Sequence, residues 1–99
     1  MSEYIISEKA LDDINKIWMY TAENWSIEQA DRYYYLIFEE IEYIVEHFEM
    51  ARDFGNIRKN YRCSKVKSHL VFFKKTKSNG IEVIRVLHEK MDIENQLGI

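Results

Sequence analysis

The spacing of apolar residues changes period partway along the chain, and that change limits what the chain can fold into. Up to about residue 48 apolar side chains return every three or four positions, while from Tyr61 onward they follow a two-residue rhythm. The first spacing lines one face of a helix and the second lines one face of a strand. Leu11, Ile14, Trp18, Thr21 and Trp25, widened by Ile17, predict a helix over about residues 8–23, with Ser7 as its N-cap. Ser26 caps a second helix, and Gln29 follows three residues later in a capping-box pattern. That helix carries the stripe Ala30, Tyr34, Ile37, Ile41, Ile44 and Phe48. Almost no chain separates the two helices, so they must form an antiparallel hairpin. Tyr33, Leu36, Phe38, Tyr43 and Val45 lie off the stripe, so the second helix needs another covering surface, either a sheet or a partner.

Glu3 to Ile6 reads as a short strand ahead of the helices, and residues 49–60 as a loop around Gly55. Three strands then follow: Tyr61 to Val66, His69 to Lys75, and Ile81 to His88 after the turn signal Ser78-Asn79-Gly80. The last is apolar on both faces, as a central strand would be. Residues 92–97 form a short helix or a tail. The fold class is α+β: an N-terminal strand and an antiparallel helical hairpin packed on a small, mainly antiparallel sheet, in one domain over residues 1–99. The pattern does not fix the pairing partner of the first strand.

Charge is divided along the chain. Residues 1–50 carry three basic and twelve acidic side chains, a net of −9, and residues 51–99 carry eleven basic and five acidic, a net of +6. No acid stands between Asp53 and Glu82, a gap holding Arg58, Lys59, Arg62, Lys65, Lys67, Lys74, Lys75 and Lys77. Two such poles fit a polyanionic or acidic partner for the second half, or else simple solvation of strands and turns. Cys63 is the only cysteine, so no internal disulfide forms, and no Cys/His spacing matches a zinc site. No cofactor or metal is expected. No apolar run approaches the ~18 residues that span a membrane, and the N-terminus has no signal-peptide pattern. The expected location is the cytoplasm.

Specific segments carry a family resemblance. Ala10, Leu11, Asp13, Ile14, Ile17, Trp18 and Tyr20-Thr21, followed by Trp25, Gln29-Ala30 and Tyr33 or Tyr34, resemble the hairpin of the ParE branch of the RelE/ParE toxin superfamily. In the second half, Arg58-Lys59-Asn60-Tyr61-Arg62 resembles the family's Arg-x-Gly-Tyr-Arg. Ser68-His69-Leu70-Val71-Phe72-Phe73 resembles its His-x-Ile-Phe-Tyr strand. Ile84-Arg85-Val86-Leu87-His88-x-x-Met91-Asp92 resembles its Ile-Arg-Ile-Leu-His-x-x-Met-Asp ending. Asn60 stands where Gly is usual, and Glu49 near where a Pro commonly ends the second helix. The resemblance implies the toxin of a plasmid-stabilising toxin–antitoxin module, neutralised by a cognate antitoxin and inhibiting DNA gyrase without chemistry of its own. The alternatives are a ribosome-dependent mRNA endonuclease of the RelE type, or an inactive homologue that only binds its antitoxin.

RNA cleavage needs a base, an acid and cations around the phosphate. RelE-like relatives often use a Tyr near the C-terminus, and here the last Tyr is Tyr61. No residue is assigned a catalytic role. Arg58, Tyr61, Arg62, His69, Arg85 and His88 are the candidate target-binding residues, and Trp18, Tyr33, Phe38 and Tyr43 the candidate antitoxin-binding ones. Strict alternation sets Arg85 beside Ile81, Val83 and Leu87, and His88 beside Ile84 and Val86, on opposite faces unless a bulge intervenes. A His on an apolar face is more often a hydrogen-bonded structural residue than a catalyst, and His69 and His88 both admit that reading. Arg85 in an apolar strand needs an acidic partner, and Asp92 is a candidate.

Overall fold

Both helix starts are set by the serines that the sequence nominates. A computed structural model describes residues 3–55 and 57–98. In it the Ser7 hydroxyl accepts from the Ala10 amide and the Ser26 hydroxyl from the Gln29 amide, each at 3.0 Å. These caps begin α1 (Glu8–Asn24) and α2 (Ile27–Glu46), which form the antiparallel hairpin. A short 3₁₀ turn at Phe48–Met50 ends the hairpin.

The remaining elements are β1 (Tyr4–Ile6), β2 (Arg52–Asp53), β3 (Arg62–Val66), β4 (His69–Lys75), β5 (Ile81–His88) and a short α3 (Ile93–Gln96). They build a five-stranded sheet in the order β1-β5-β4-β3-β2. β1 lies parallel to β5, which resolves its pairing, and the other pairs are antiparallel. The 49–60 segment is not loop throughout, because Arg52 and Asp53 pair with Cys63 and Arg62. A two-residue strand is too short to leave an alternating pattern in the sequence.

The hairpin covers one sheet face. Ala10 and Ile14 of α1 and Ile37, Ile41 and Ile44 of α2 meet Val66, Val71, Phe73, Ile81, Val83 and Val86. The expected stripes therefore sit slightly rotated. Leu11, Trp25 and Tyr34 face outward, while Ala10 and Tyr33 turn inward. Small Ala10 lets α1 approach the sheet closely, which a wider Leu at the contact would prevent. A second, smaller core on the other face joins Cys63, Phe72 and Leu87 to Leu97, with Phe54, Tyr61, Leu70 and Ile93 around it. Phe54, Tyr61 and the C-terminal helix thus cover that face.

Asn60 adopts φ 70°, in the left-handed region. Its side chain is among the few that tolerate that region, which explains how it replaces the expected Gly. Gly80 has a different reason to be Gly. A Cβ there would lie 2.3 Å from the Glu3 carbonyl oxygen. The Ile81 amide donates to that same carbonyl at 3.0 Å, at the start of the β1–β5 ladder. Gly80→Ala is therefore expected to push β1 off β5 and cost about 1–3 kcal/mol, read as a lowered denaturation midpoint. Wild-type stability in that variant would refute the close approach.

Candidate functional site

Arg85 sits where the edge of β5 loses its neighbour. β1 ends at Ile6, so beyond Val83 the outer edge of β5 has no strand beside it. A β-bulge occurs there: Phe73 pairs with Val83 and Phe72 with Arg85, leaving Ile84 as the extra residue. The bulge turns two successive carbonyls outward, and Ser7 satisfies both. Its amide donates to Val83 O at 3.0 Å and its hydroxyl to Ile84 O at 2.8 Å. Asp13, one turn and a half further along α1, takes the rest. Its carboxylate accepts from Arg85 Nε at 2.7 Å, from a terminal Arg85 nitrogen at 2.9 Å and from the Val86 amide at 3.0 Å.

The acid paired with Arg85 is therefore Asp13, not Asp92. Asp92 instead caps α3, accepting from the Asn95 amide at 3.3 Å. The remaining terminal nitrogen of Arg85 donates to Gln96 O at 2.9 Å, which ties α1, β5 and the C-terminal helix together. Both side chains of the pair are only 12–15% exposed, so losing either partner strands a desolvated charge.

The bulge also corrects the facing of residues along β5. Ile81 and Val83 share the helix-facing side with Val86 rather than with Arg85. Leu87 belongs to the opposite core. Beyond the bulge the strand alternates normally, so His88 joins Val86 on the helix-facing side and Arg85 stays apart from it. His88 pairs in register with His69, their rings edge to face with centroids 5.1 Å apart. The Tyr33 hydroxyl reaches both His69 Nδ1, at 2.5 Å, and Val66 O, at 3.1 Å. A carbonyl can only accept, so both contacts are satisfied when Tyr33 donates to Val66 O and accepts from His69 Nδ1–H. That assignment leaves His69 Nε2 as a free acceptor. His88 Nδ1 accepts from the Lys90 amide at 3.1 Å.

Burial pushes His69 down to about pKa 4, with the neighbouring His88 adding to the shift. Burial also raises the Tyr33 phenol above its ordinary value. Around neutral pH, then, His69 is uncharged and Tyr33 keeps its proton. This cluster lies in a cleft of about 1010 Å³ between the hairpin and the β3–β4 turn. Ile17, Tyr20, Trp25, Leu36 and Met91 give the cleft apolar walls, and Arg32, Lys67 and Lys90 supply cations.

The other sequence candidates scatter. Arg58 donates to Leu97 O at 3.4 Å and stands 5.8 Å from the centre of the Tyr61 ring, so this pair buttresses the C-terminal segment. Arg62 donates to Ala51 O at 3.0 Å and lies over Phe48. Among the antitoxin candidates only Tyr33 lines the cleft. Trp18 donates to Asp31 across the hairpin at 2.9 Å, Phe38 packs against Tyr34 with tilted rings, and Tyr43 stacks on His47. Sequence reasoning placed Asp13 among the residues that carry the resemblance but missed it as the partner of Arg85. Its spacing seven before Tyr20 puts it on α1, but nothing in a linear pattern shows that a strand more than seventy residues later breaks its ladder there. Cys63 is a packing residue, its thiol raised to about pKa 11 by burial.

The family model described as ParE toxin of type II toxin–antitoxin system, parDE, matches residues 4–93. Toxin ParE1 of Caulobacter vibrioides is 37% identical over 98 residues, covering 99% of this chain and 100% of the relative. Toxin ParE1 of Mycobacterium tuberculosis is 31% identical, covering 97% and 98%. A solved structure titled "Chromosomal ParDE TA system from P. aeruginosa" superposes with a TM-score of 0.76 at 16% identity, over 89% of this chain and 96% of that one. At that identity the superposition establishes the shared fold.

Two outcomes are expected. Asp13→Ala or Arg85→Ala should each cost roughly 2–4 kcal/mol, and the double variant clearly less than their sum. Additive losses in a double-mutant cycle would show that the two do not interact. The second concerns acid. Because folded His69 titrates near 4 and an unfolded His near 6.5, the unfolded chain takes up the proton first. Stability is full above about pH 6.5 and declines toward 4, by ~1–2 kcal/mol after solvent screening. Proton NMR of the His69 ring should give its midpoint near 4, and His69→Gln should flatten stability over that range. A midpoint above 6 would contradict the burial argument.

Proposed function

The chain belongs to the ParE toxin family of type II toxin–antitoxin systems, and from that premise we propose that it inhibits DNA gyrase by binding and is held inactive by a cognate antitoxin. The observation that supports binding over chemistry is the engagement of Arg85. RNA cleavage on this fold would draw on a strand-borne cation beside an acid–base pair. Here Arg85 is committed to Asp13 and Gln96 O, on the face away from His69 and His88. His69 is in turn held by Tyr33, and no Tyr follows Tyr61. Tyr33, His69 and His88 do meet in one cleft beside Arg32, Lys67 and Lys90, but Arg85, the strand-borne cation, is not among them.

The antitoxin reading rests on the cleft between hairpin and sheet. Apolar walls with cations at hand fit an amphipathic segment whose polar side is acidic. Of the surfaces proposed for the antitoxin, Tyr33 would meet it in the cleft, and Trp18, Phe38 and Tyr43 along the hairpin. Residues 1–99 act as one unit in this reading, in the cytoplasm where gyrase works. No helix among the described residues is long and apolar enough to cross a membrane.

A supercoiling assay with gyrase from the source organism tests the first part. The toxin should block supercoiling or trap cleaved DNA, and equimolar antitoxin should restore the reaction. Full supercoiling at excess toxin would sink gyrase as the target. Arg32→Glu with Lys67→Glu should weaken antitoxin binding about tenfold or more and reduce its salt dependence. Unchanged affinity would place the antitoxin elsewhere.

A further inference from the structure

A second cleft, of about 760 Å³, opens at the other end of the strands, where β3 begins, β4 ends and β5 begins. Its character differs from the first. Lys59, Arg62, Lys74, Lys75 and Lys77 line it, against only Asp53 and Glu82, a net of about +3. The two acids are partly used. An Asp53 carboxylate oxygen accepts from the Gly55 amide at 2.7 Å, and Glu82 stands in register opposite Lys74. Among the described residues none of the five cations makes an ion pair.

Two of them are nevertheless brought to one place. The Arg62 guanidinium lies 4.7 Å and the Lys75 ammonium 4.9 Å from the centre of the same Phe48 ring. Arg62 is fixed further by Ala51 O. Like charges repel, so gathering them on one aromatic face with no carboxylate between them costs free energy that an anion would recover. A buried-ion role is excluded, since Lys59, Lys75 and Lys77 are exposed.

We propose that this cleft grips the phosphodiester backbone of a nucleic acid. The proposal is independent of the toxin's target enzyme. A phosphate backbone supplies repeated anions along a line and asks for no apolar anchor. That matches a cleft whose Phe48 ring is already covered by two cations and whose other aromatic, the half-buried Tyr61, has Arg58 over its ring. A folded acidic protein segment would want an apolar centre inside a polar rim. Glu46 and Glu49 flank Phe48 in the chain, so acids at the end of the hairpin border the cleft and confine the strand to the side lined by the five cations.

The experiment is fluorescence anisotropy with the full-length toxin and labelled oligonucleotides of equal length: duplex DNA, single-stranded DNA and RNA. At low salt a dissociation constant on the order of 10⁻⁵ M is expected, weakening steeply as salt rises. The tightest of the three identifies the strand class. Lys75→Glu should weaken binding about tenfold, whereas Lys9→Glu, which changes net charge equally at the start of α1 and outside the cleft's lining, should change it by less than about twofold. Lys75→Glu with Lys77→Glu should lower the salt slope by about two. Chemical shifts of the wild-type protein should move at Lys59, Arg62 and Lys75, which needs no variant to fold. The proposal is overturned by no binding at low salt, by equal losses in Lys75→Glu and Lys9→Glu, or by a glutamate-rich peptide competing as well as unlabelled oligonucleotide.

Discussion

The Asp13 carboxylate completes a sheet edge that a strand leaves unfinished, and the packing of three layers depends on it. β1 pairs with β5 for only three residues before the chain must turn into α1. The abandoned edge still presents a backbone amide at Val86, and a buried amide without a partner would cost about 1–3 kcal/mol. Asp13 supplies that partner from the helix and accepts both parallel donors of Arg85 with the same group. Arg85 then reaches the last turn of the chain through Gln96 O. Helix, strand edge and C-terminal helix are thereby fixed by one carboxylate. An uncharged acceptor such as Asn could meet the amide but would leave the guanidinium unpaired.

Much of this fold was legible because its rules are local. Ser7 and Ser26 cap where they stand before apolar helical spacing, and the boundaries of β4 and β5 coincide with the two-residue rhythm. The α+β class follows from the change in period. What escaped was non-local. Asp13 stands among the hairpin residues that carry the resemblance, but only the bulge at Ile84 shows what it holds. The same bulge shifts the parity of β5, so strict alternation sorted Ile81 and Val83 with Arg85 when they belong with Val86. Tyr33 was legible as an off-stripe aromatic but not as the partner of His69. Trp18 and Phe38 were grouped with it by type alone, and their contacts keep them along the hairpin instead.

The charge division seen in the sequence survives folding as a division of surfaces. The acids ride on the hairpin and the cations on the strands and turns, so each end of the sheet offers a different environment. At the β3–β4 turn the cations border apolar walls. At the β4–β5 turn they crowd a polar cleft. A surface of the first kind gains from burying apolar area and uses charge for orientation. The second gains almost wholly from charge and loses affinity quickly as salt rises. One chain can therefore carry two contacts that respond differently to ionic strength.

The segment that most specifically carries the family resemblance, Ile84 to Asp92, turns out to serve the fold. Ile84 is the bulge, Arg85 the clamp, His88 the acceptor for the Lys90 amide, and Asp92 the cap of α3. Each is tied to a backbone group or a neighbouring charge within the molecule. A motif of that kind identifies the family through its architecture and places little constraint on what the toxin touches. His88, Lys90 and Met91 also line the first cleft, and further residues open to another molecule lie on exposed turns and on the hairpin. A shared ending of this kind therefore fixes the strand edge without by itself fixing a target.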